Sequence, residues 1–265
     1  MSASDKPVLW ATDARGVASV TLNRPQVNNA YDDGMIAGLH EAMDALEKVV
    51  TLRAIVLRGN GRHFQAGADL AWIHRVAADS EAENLRVSRA TADAIRRLDA
   101  AAVPTIALVQ GGCFGGGTGI IAACDLVIAA EDAMFSISEA RWGLMPGIIV
   151  PQLNAAMGVR QVRRYALTCE RFGAAQAQRL GLVHEVCPAT ELETVAARFV
   201  DMLLMSARDA CAQTKAVARA YAGLDVGDVA YDGLVRQHAA QRRSAEAAEG
   251  LESFRERRPP RWYPG

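Results

Sequence analysis

The sequence predicts an α/β fold: a parallel sheet with helical crossovers, followed by an all-helical C-terminal region. Three observations carry that expectation. Short, largely apolar runs recur at Ala54–Leu57, Thr105–Val109 and Asp125–Ala129, as in strands covered on both faces. The segments between them include helical stretches, and strands joined through helices imply parallel pairing. After about Pro151 the strand signals almost vanish, and Ala-, Arg- and Glu-rich segments take over.

The elements follow in order. Val8–Thr12 and Val17–Leu22 are β-rich runs separated by the turn-like Asp13-Ala14-Arg15-Gly16, so they read as a hairpin. Met35, Ile36, Leu39, Met43, Leu46, Val49 and Val50 recur at helical spacing, with Asp32 or Asp33 as the N-cap. Ala54–Leu57 is a strand closing at Gly59, and Asn60–Gly67 is a loop. Glu81–Asp99 is helical in composition, Thr105–Val109 is a strand, and a glycine cluster runs from Gly111 to Gly119. Asp125–Ala129 and the short Met134–Ile137 complete the strands. Helices are then expected over 159–168, 173–179, 190–205, 207–222, 227–240 and 244–257. Pro259-Pro260 ends the last one, since proline cannot continue a helix. The expected division is a core over 1–200 and a helical C-terminal region over 201–265, the latter a second layer or an oligomerisation element.

Composition excludes several classes. The 29 Lys+Arg against 30 Asp+Glu leave a net charge of −1, which gives no electrostatic reason to expect nucleic acid as a partner. A chain that is 51% hydrophobic and 22% charged is globular rather than disordered. The five cysteines, Cys113, Cys124, Cys169, Cys187 and Cys211, are odd in number and lack CxxC spacing, which argues against a disulfide framework and a structural zinc site. Met1 to Lys6 is polar with no apolar core, so no signal peptide is expected. No charge-free apolar stretch reaches about 18 residues, so no membrane span is expected either. A cytoplasmic protein without a membrane partner is the resulting expectation.

Two loops are the candidates for carrying chemistry. His63-Phe64-Gln65-Ala66-Gly67-Ala68-Asp69-Leu70 follows one buried strand, and Gln110 to Gly119 follows another. Ligands of α/β proteins sit at the carboxyl ends of parallel strands. Each loop opens a helix, whose first N–H groups have no internal acceptor. Small residues let a ligand approach them closely. Two such donors aimed at one point make an oxyanion hole, where losing one donor costs about 3–4 kcal/mol of transition-state stabilisation. A plain tight turn and a dinucleotide loop are the competing readings of the glycine cluster. Gly117-Thr118-Gly119-Ile120-Ile121-Ala122 fits G-x-G-x-x-A with Glu139 further on, but that fingerprint normally sits in the first βαβ unit. No G-x-x-x-x-G-K-[ST] occurs, which excludes a P-loop. His63 and His74 lack HxxxH or HExxH partners, so no metal site is expected. Cys113 has no neighbouring His or Asn to activate it and reads as a packing residue.

An ordered set of segments gives the chain a resemblance. They are Leu22-Asn23-Arg24-Pro25 with Asn29-Ala30, Phe64 to Leu70, Gly115-Gly116-Gly117, Cys124-Asp125 and Phe135-Ser136-Ile137-Ser138-Glu139. Gly143-Leu144-Met145-Pro146-Gly147, Ala174 to Ala177 with Gly181-Leu182-Val183, and Glu249-Gly250-Leu251 continue it over residues 8–262. In this order and spacing they resemble the enoyl-CoA hydratase/isomerase (crotonase) superfamily. Gly61-Arg62-His63-Phe64, Ala71-Trp72 and Arg163 to Thr168 look most like bacterial 3-methylglutaconyl-CoA and isohexenylglutaconyl-CoA hydratases.

The resemblance implies a ClpP/crotonase-like ββα spiral core and a helical C-terminal trimerisation region, giving a homotrimer or a dimer of trimers. It implies that the Ala68 and Gly116 N–H groups form an oxyanion hole around a thioester carbonyl and stabilise an enolate. Ala30, Ala66, Gly67, Asp69 and Leu70 would line the coenzyme A channel, with Asn29 shaping the turn beside it. Phe254 and Arg257 would approach the adenine end, sometimes from a neighbouring subunit. No permanent cofactor is implied; coenzyme A arrives as part of an acyl-CoA substrate. Two-glutamate hydratases carry one glutamate two residues past the glycine triplet and another in the Phe-x-x-x-Glu segment. Glu139 matches the second, while the first falls on Gly119, which cannot transfer a proton. The most similar hydratase subgroup also lacks that first glutamate. The apolar neighbours Met134, Phe135, Ile137 and Trp142 predict a buried Glu139 with a raised pKa.

Three activities fit this pattern. One is hydration of a branched or carboxylated enoyl-CoA such as 3-methylglutaconyl-CoA. Another is 3,2-enoyl-CoA isomerisation with Glu139 as sole acid/base, and the third is non-catalytic acyl-CoA binding. Arg141 and Trp142 are candidates for shaping the acyl pocket, with Arg141 either facing a second carboxylate or lying on the surface. Arg242, Arg243, Arg255, Arg257, Arg258 and Arg261 alternate with Glu246, Glu249, Glu252 and Glu256, as on an exposed helix laced by ion pairs. A subset of these arginines would meet coenzyme A phosphates.

Overall fold

The computed structural model describes residues 6–222 and 244–265, with positions 229, 233, 235 and 236 between them. Apart from those four positions, the helix expected over 227–240 lies outside the described residues, as do Arg242 and Arg243.

The chain opens with the expected hairpin. β1 (Val8–Thr12) and β2 (Val17–Leu22) pair antiparallel, Val8 opposite Leu22. Asp13 Oδ1 closes the turn by accepting from the Arg15 and Val17 N–H groups, each at 2.9 Å. β3 (Ala54–Gly59), β4 (Thr105–Val109), β6 (Leu126–Ala130) and β9 (Glu185–Cys187) then add in parallel, giving a six-stranded sheet in the order β1-β2-β3-β4-β6-β9. A second, three-stranded sheet has the order β5-β7-β8, from Gly112–Phe114, Met134–Ser136 and Phe172–Gly173.

Helices cover the main sheet. α1 (Asp33–Leu46) is capped by Asp32 rather than Asp33: Asp32 Oδ1 accepts from the Met35 N–H at 3.0 Å. α2 (Leu70–Ala77), α3 (Glu81–Asp99) and α4 (Gly116–Ala122) follow. α5 (Val150–Met157), α6 (Val159–Thr168), α7 (Ala174–Arg179) and α8 (Leu192–Met205) continue, and α9 (Arg208–Ala220) and α10 (Ala245–Glu256) end the chain.

Alternation within the strands divides the core. Ile55, Leu57, Ala107, Val109, Val127 and Ala129 face the larger cluster, with Met35, Ile95 and Phe135. Their neighbours Val56, Ile106, Leu108, Ile128 and Ala130 face the other way, onto Leu192, Ala196, Val200 and Leu204 of α8. Period-two side chains that are apolar on both faces are why these strands read as continuous apolar runs.

Several elements differ from expectation. The third parallel strand starts at Leu126, because the Asp125 carboxylate is engaged elsewhere: Oδ2 accepts from Thr105 N–H and Oγ1, each at 2.8 Å, and from Lys215 Nζ at 2.7 Å. That cluster ties α9 to the sheet. β5, β8 and β9 are strands of two or three residues, too short to show a two-residue period, and β8 and β9 lie after Pro151, among the helices. Position 200/201 lies within α8, whose Leu192, Ala196, Val200 and Leu204 pack on the sheet. Among the described residues, no helix is long and apolar enough to cross a membrane.

Candidate active site

The first loop is held from inside. Asn29 is fully buried in a left-handed conformation (φ 56°), and its Nδ2 donates to the backbone oxygens of Asn60, His63 and Phe64 at 2.8–3.1 Å. Gln65 brackets the next turn: its Oε1 accepts from Gly67 N–H at 2.7 Å and its Nε2 donates to Gly67 O at 2.9 Å. Gly67 sits at φ 89°, where a side chain would be strained. Tyr31 N–H donates to Gly67 O and Tyr31 O accepts from Asp69 N–H, both at 2.9 Å. This short bridge skips Ala68, whose N–H has no protein acceptor among the described residues. Asp69 then caps α2, accepting from Ala71 and Trp72 N–H.

The second loop supplies a matching donor. Gly115, at φ 50°, donates its N–H to Ser136 O and precedes α4. The Gly116 N–H, first in that helix, is likewise without a protein acceptor among the described residues. A Cβ on Gly115 would sit 3.2 Å from Glu139 Oε1, a tight contact that the absent side chain avoids.

Glu139 follows β7 and opens a single 3-10 turn, Glu139–Trp142. Its Oε2 is buried without a hydrogen-bond partner among the described residues. Burial raises its pKa above the ordinary glutamate value, with partial relief from the Ser138 and Glu139 N–H groups.

These groups meet in one cavity of about 420 Å³. Ala66, Gly67, Ala68 and Leu70 line it from the first loop, Gly115 and Gly116 from the second, and Glu139 from the third side. The rest of the wall is mostly apolar, including Ile36, Leu39, Trp72, Val87, Ile95 and Ile149, with Asn84, Ser88 and Thr91 of α3 as its uncharged polar patches. A second cavity, between β2 and α8, includes Arg58, but its guanidinium pairs with Glu193 at 2.7 Å, and no loop glycine lines it.

The remaining candidates are dispersed. Ala30 is buried beneath the first loop, and its carbonyl oxygen accepts from Arg24 Nη1. Asp69 is engaged as a cap and pairs with Arg24 at 3.4 Å; neither it nor Ala30 lines the cavity. Phe254, 85% exposed, and Arg257, the left-handed C-cap of α10, also lie outside that lining. Arg141 is exposed and outside it, whereas Trp142 lines it. The C-terminal ion pairs include Arg258 with Glu249 at 2.6 Å, which pulls the Glu249 carboxyl down to about 2. His63 Nδ1 accepts from Gly112 N–H at 2.8 Å, and among the described residues no side-chain cluster is arranged to hold a metal.

Two residues went unnoticed in the sequence. Ile149, 1% exposed, fills the space beside Gly119: a Cβ there would lie 2.2 Å from Ile149 Cγ2. Tyr31 also lines the cavity; its place directly after Asn29-Ala30 was the available signal.

Comparisons with known proteins converge on one family. Residues 12–264 match the model of a family described as enoyl-CoA hydratase/isomerase. A putative enoyl-CoA hydratase of Thermus thermophilus is 32% identical over 246 residues, covering 93% of this chain and 97% of the relative. A 2,3-dehydroadipyl-CoA hydratase of Escherichia coli is 34% identical over 210 residues, covering 76% of this chain and 80% of the relative. The crystal structure of an enoyl-CoA hydratase from Shewanella pealeana superposes with a TM-score of 0.92 at 34% identity, covering 97% of this chain and 96% of that one.

Proposed function

The chain belongs to the enoyl-CoA hydratase/isomerase family, and from that premise we propose that it adds water reversibly across the double bond of an enoyl-CoA thioester. The observation that carries the reading is the convergence of two unspent N–H donors and one desolvated carboxylate on a single cavity.

The thioester oxygen accepts hydrogen bonds from Ala68 and Gly116 N–H, which draw electron density from the conjugated double bond. Glu139 accepts a proton from water as the water oxygen bonds to Cβ. The π electrons move onto the thioester as an enolate, and Glu139 returns the same proton to Cα. One water is consumed and Glu139 ends as it began. Burial suits Glu139 to this exchange, because a raised pKa narrows the gap between its two protonation states at working pH. Glu139→Gln removes the proton acceptor while keeping the shape, so turnover falls about 10²–10⁴-fold with acyl-CoA affinity retained. Wild-type rates in that variant would end the role.

The apolar inner wall supports a branched, uncharged acyl group. A carboxylated one, as in 3-methylglutaconyl-CoA, finds no cation among the described residues lining the cavity. Isomerisation is the second reading, favoured by Ile149 occupying the space beside Gly119. The two separate on crotonyl-CoA, a branched enoyl-CoA, 3-methylglutaconyl-CoA and a 3-enoyl-CoA. Water addition to the first two supports hydration, and conjugation of the 3-enoyl-CoA without water addition overturns it. Glu139-dependent deuterium exchange at Cα separates both from a non-catalytic binder. A trimer, or a dimer of trimers, is part of the proposal, supported by the exposed Leu251 and Phe254 on α10.

A further inference from the structure

Tyr31 lines this cavity and has no part in the steps above. Its backbone is pinned on both sides of Ala68, through Gly67 O and Asp69 N–H. Its ring lies against the other donor: a Cβ on Gly116 would stand 2.7 Å from Tyr31 Cε1 and 3.4 Å from its hydroxyl oxygen. Trp72 packs edge-on with the same ring, 5.6 Å between centroids. Among the described residues, no hydrogen bond engages the Tyr31 hydroxyl, and the half-buried side chain lines the cavity. An unengaged hydroxyl on a side chain that lines a ligand cavity can both accept from and donate to a ligand. Burial, then the neighbouring Glu139 carboxylate, push the phenol up to about 12, so it stays protonated and neutral near pH 7.

Hydration needs the water held on two sides: one acceptor takes the departing proton, and another fixes the second O–H so that a lone pair points at Cβ. Position 119 cannot supply the second acceptor, since a side chain there meets Ile149 Cγ2 and Cβ at 2.2 and 2.5 Å. We propose that the Tyr31 hydroxyl is this second group, its oxygen accepting one O–H of the attacking water while Glu139 accepts the other. The proposal rests on the hydration reading. A phenol oxygen accepts as well as donates, and a neutral acceptor avoids placing a second negative charge beside Glu139 in a desolvated site. Tyr31 keeps its own proton throughout. The water proton on Glu139 passes to Cα, and the O–H held by Tyr31 becomes the hydroxyl of the product.

Tyr31→Phe tests this, because it keeps the ring against Gly116 and Trp72 and removes only the oxygen. Hydration of crotonyl-CoA and of a branched enoyl-CoA is measured beside deuterium exchange at Cα of butyryl-CoA, which needs the N–H pair and Glu139 but no held water. The expected result is a hydration kcat about 100-fold lower, with KM, exchange rate and thermal midpoint near wild type. Unchanged hydration overturns the proposal. So does a parallel loss of hydration and exchange, which would assign Tyr31 to the oxyanion or to packing. A wild-type enzyme that conjugates a 3-enoyl-CoA and hydrates nothing overturns the hydration reading itself, and this proposal with it. Normal wild-type hydration with an unaffected variant overturns the role of Tyr31 alone.

Discussion

Glu139 has opposite effects on catalysis and on stability. As the proton acceptor it must be ionised, so kcat/KM falls as pH drops through its folded-state pKa, which lies above the ordinary value of 4.5. The acid limb of the profile is therefore expected above that value. A limb at the ordinary glutamate position would show that the carboxyl is not desolvated in solution. For folding, a raised folded pKa means stability that is fully present below the unfolded pKa and lost as pH rises through the folded one. Glu139→Gln should accordingly raise the thermal midpoint at neutral pH, with the gain vanishing below the ordinary glutamate range. Gly119 and Ile149 form a second pair with a measurable signature. Gly119→Ala should cost about 1–3 kcal/mol by overpacking. Combined with Ile149→Ala, the total should fall short of the sum of the single costs, by about 0.5–3 kcal/mol in a double-mutant cycle. Ala68, Gly116 and Glu139 were legible because glycine-rich loops and a spaced glutamate form an ordered pattern. Tyr31 was not, because a lone tyrosine has no pattern, and its significance comes from packing against Gly116 across the fold.

Among the elements, the first loop depends most on one side chain. Removing the Asn29 amide abandons three backbone carbonyls in a buried site, so Asn29→Ala should cost about 1–3 kcal/mol in chemical denaturation. It should also lower kcat through a loosened Ala68. An unchanged denaturation midpoint would mean that the loop holds itself. The sheet edge depends on a histidine. His184 N–H donates to Val127 O at 2.9 Å, and its Nδ1 accepts from Val127 N–H at 3.0 Å, beside β9. Burial lowers its pKa from 6.5, so the native state disfavours the proton that the unfolded chain takes up. Stability should decline as pH falls below about 6.5, toward the lowered folded value. His184→Gln should flatten part of that decline. β1, β2 and β4 have the bounds that the sequence predicts, because five or six residues suffice to show alternation or continuous burial. β9 and β8 escaped detection because their pairing is set by the surface they land on.

At the scale of the whole molecule, large apolar side chains stand exposed both at the cavity and on α10. Leu70 and Trp142, each 62% exposed, stand at the cavity rim, and Leu251 and Phe254 project from α10. With assembly through α10, Leu251→Asp combined with Phe254→Asp should lower the molar mass measured by light scattering while preserving the circular dichroism spectrum. An unchanged mass would remove α10 from the interface. The C-terminal segment is nevertheless anchored within the chain: Arg53 donates to Leu204 O, Ser206 O and Trp262 O at 2.8–3.0 Å. The alternation of Ile55 and Leu57 against Val56 made the two-faced sheet legible, whereas the placement of the last helices depends on such long-range bonds and was not.

The packing of Ile149 on Gly119 also bears on how such an enzyme can change over generations. Glutamate at 119 would meet the isoleucine before it met a substrate, and trimming the isoleucine first would open a hole that nothing yet fills. Either single step should cost stability, by overpacking or by a cavity, so the two-carboxylate design is reached from this pair only through a less stable intermediate. Accessible variation lies instead in the rim and the α3 wall, where new acyl groups can be accommodated one substitution at a time.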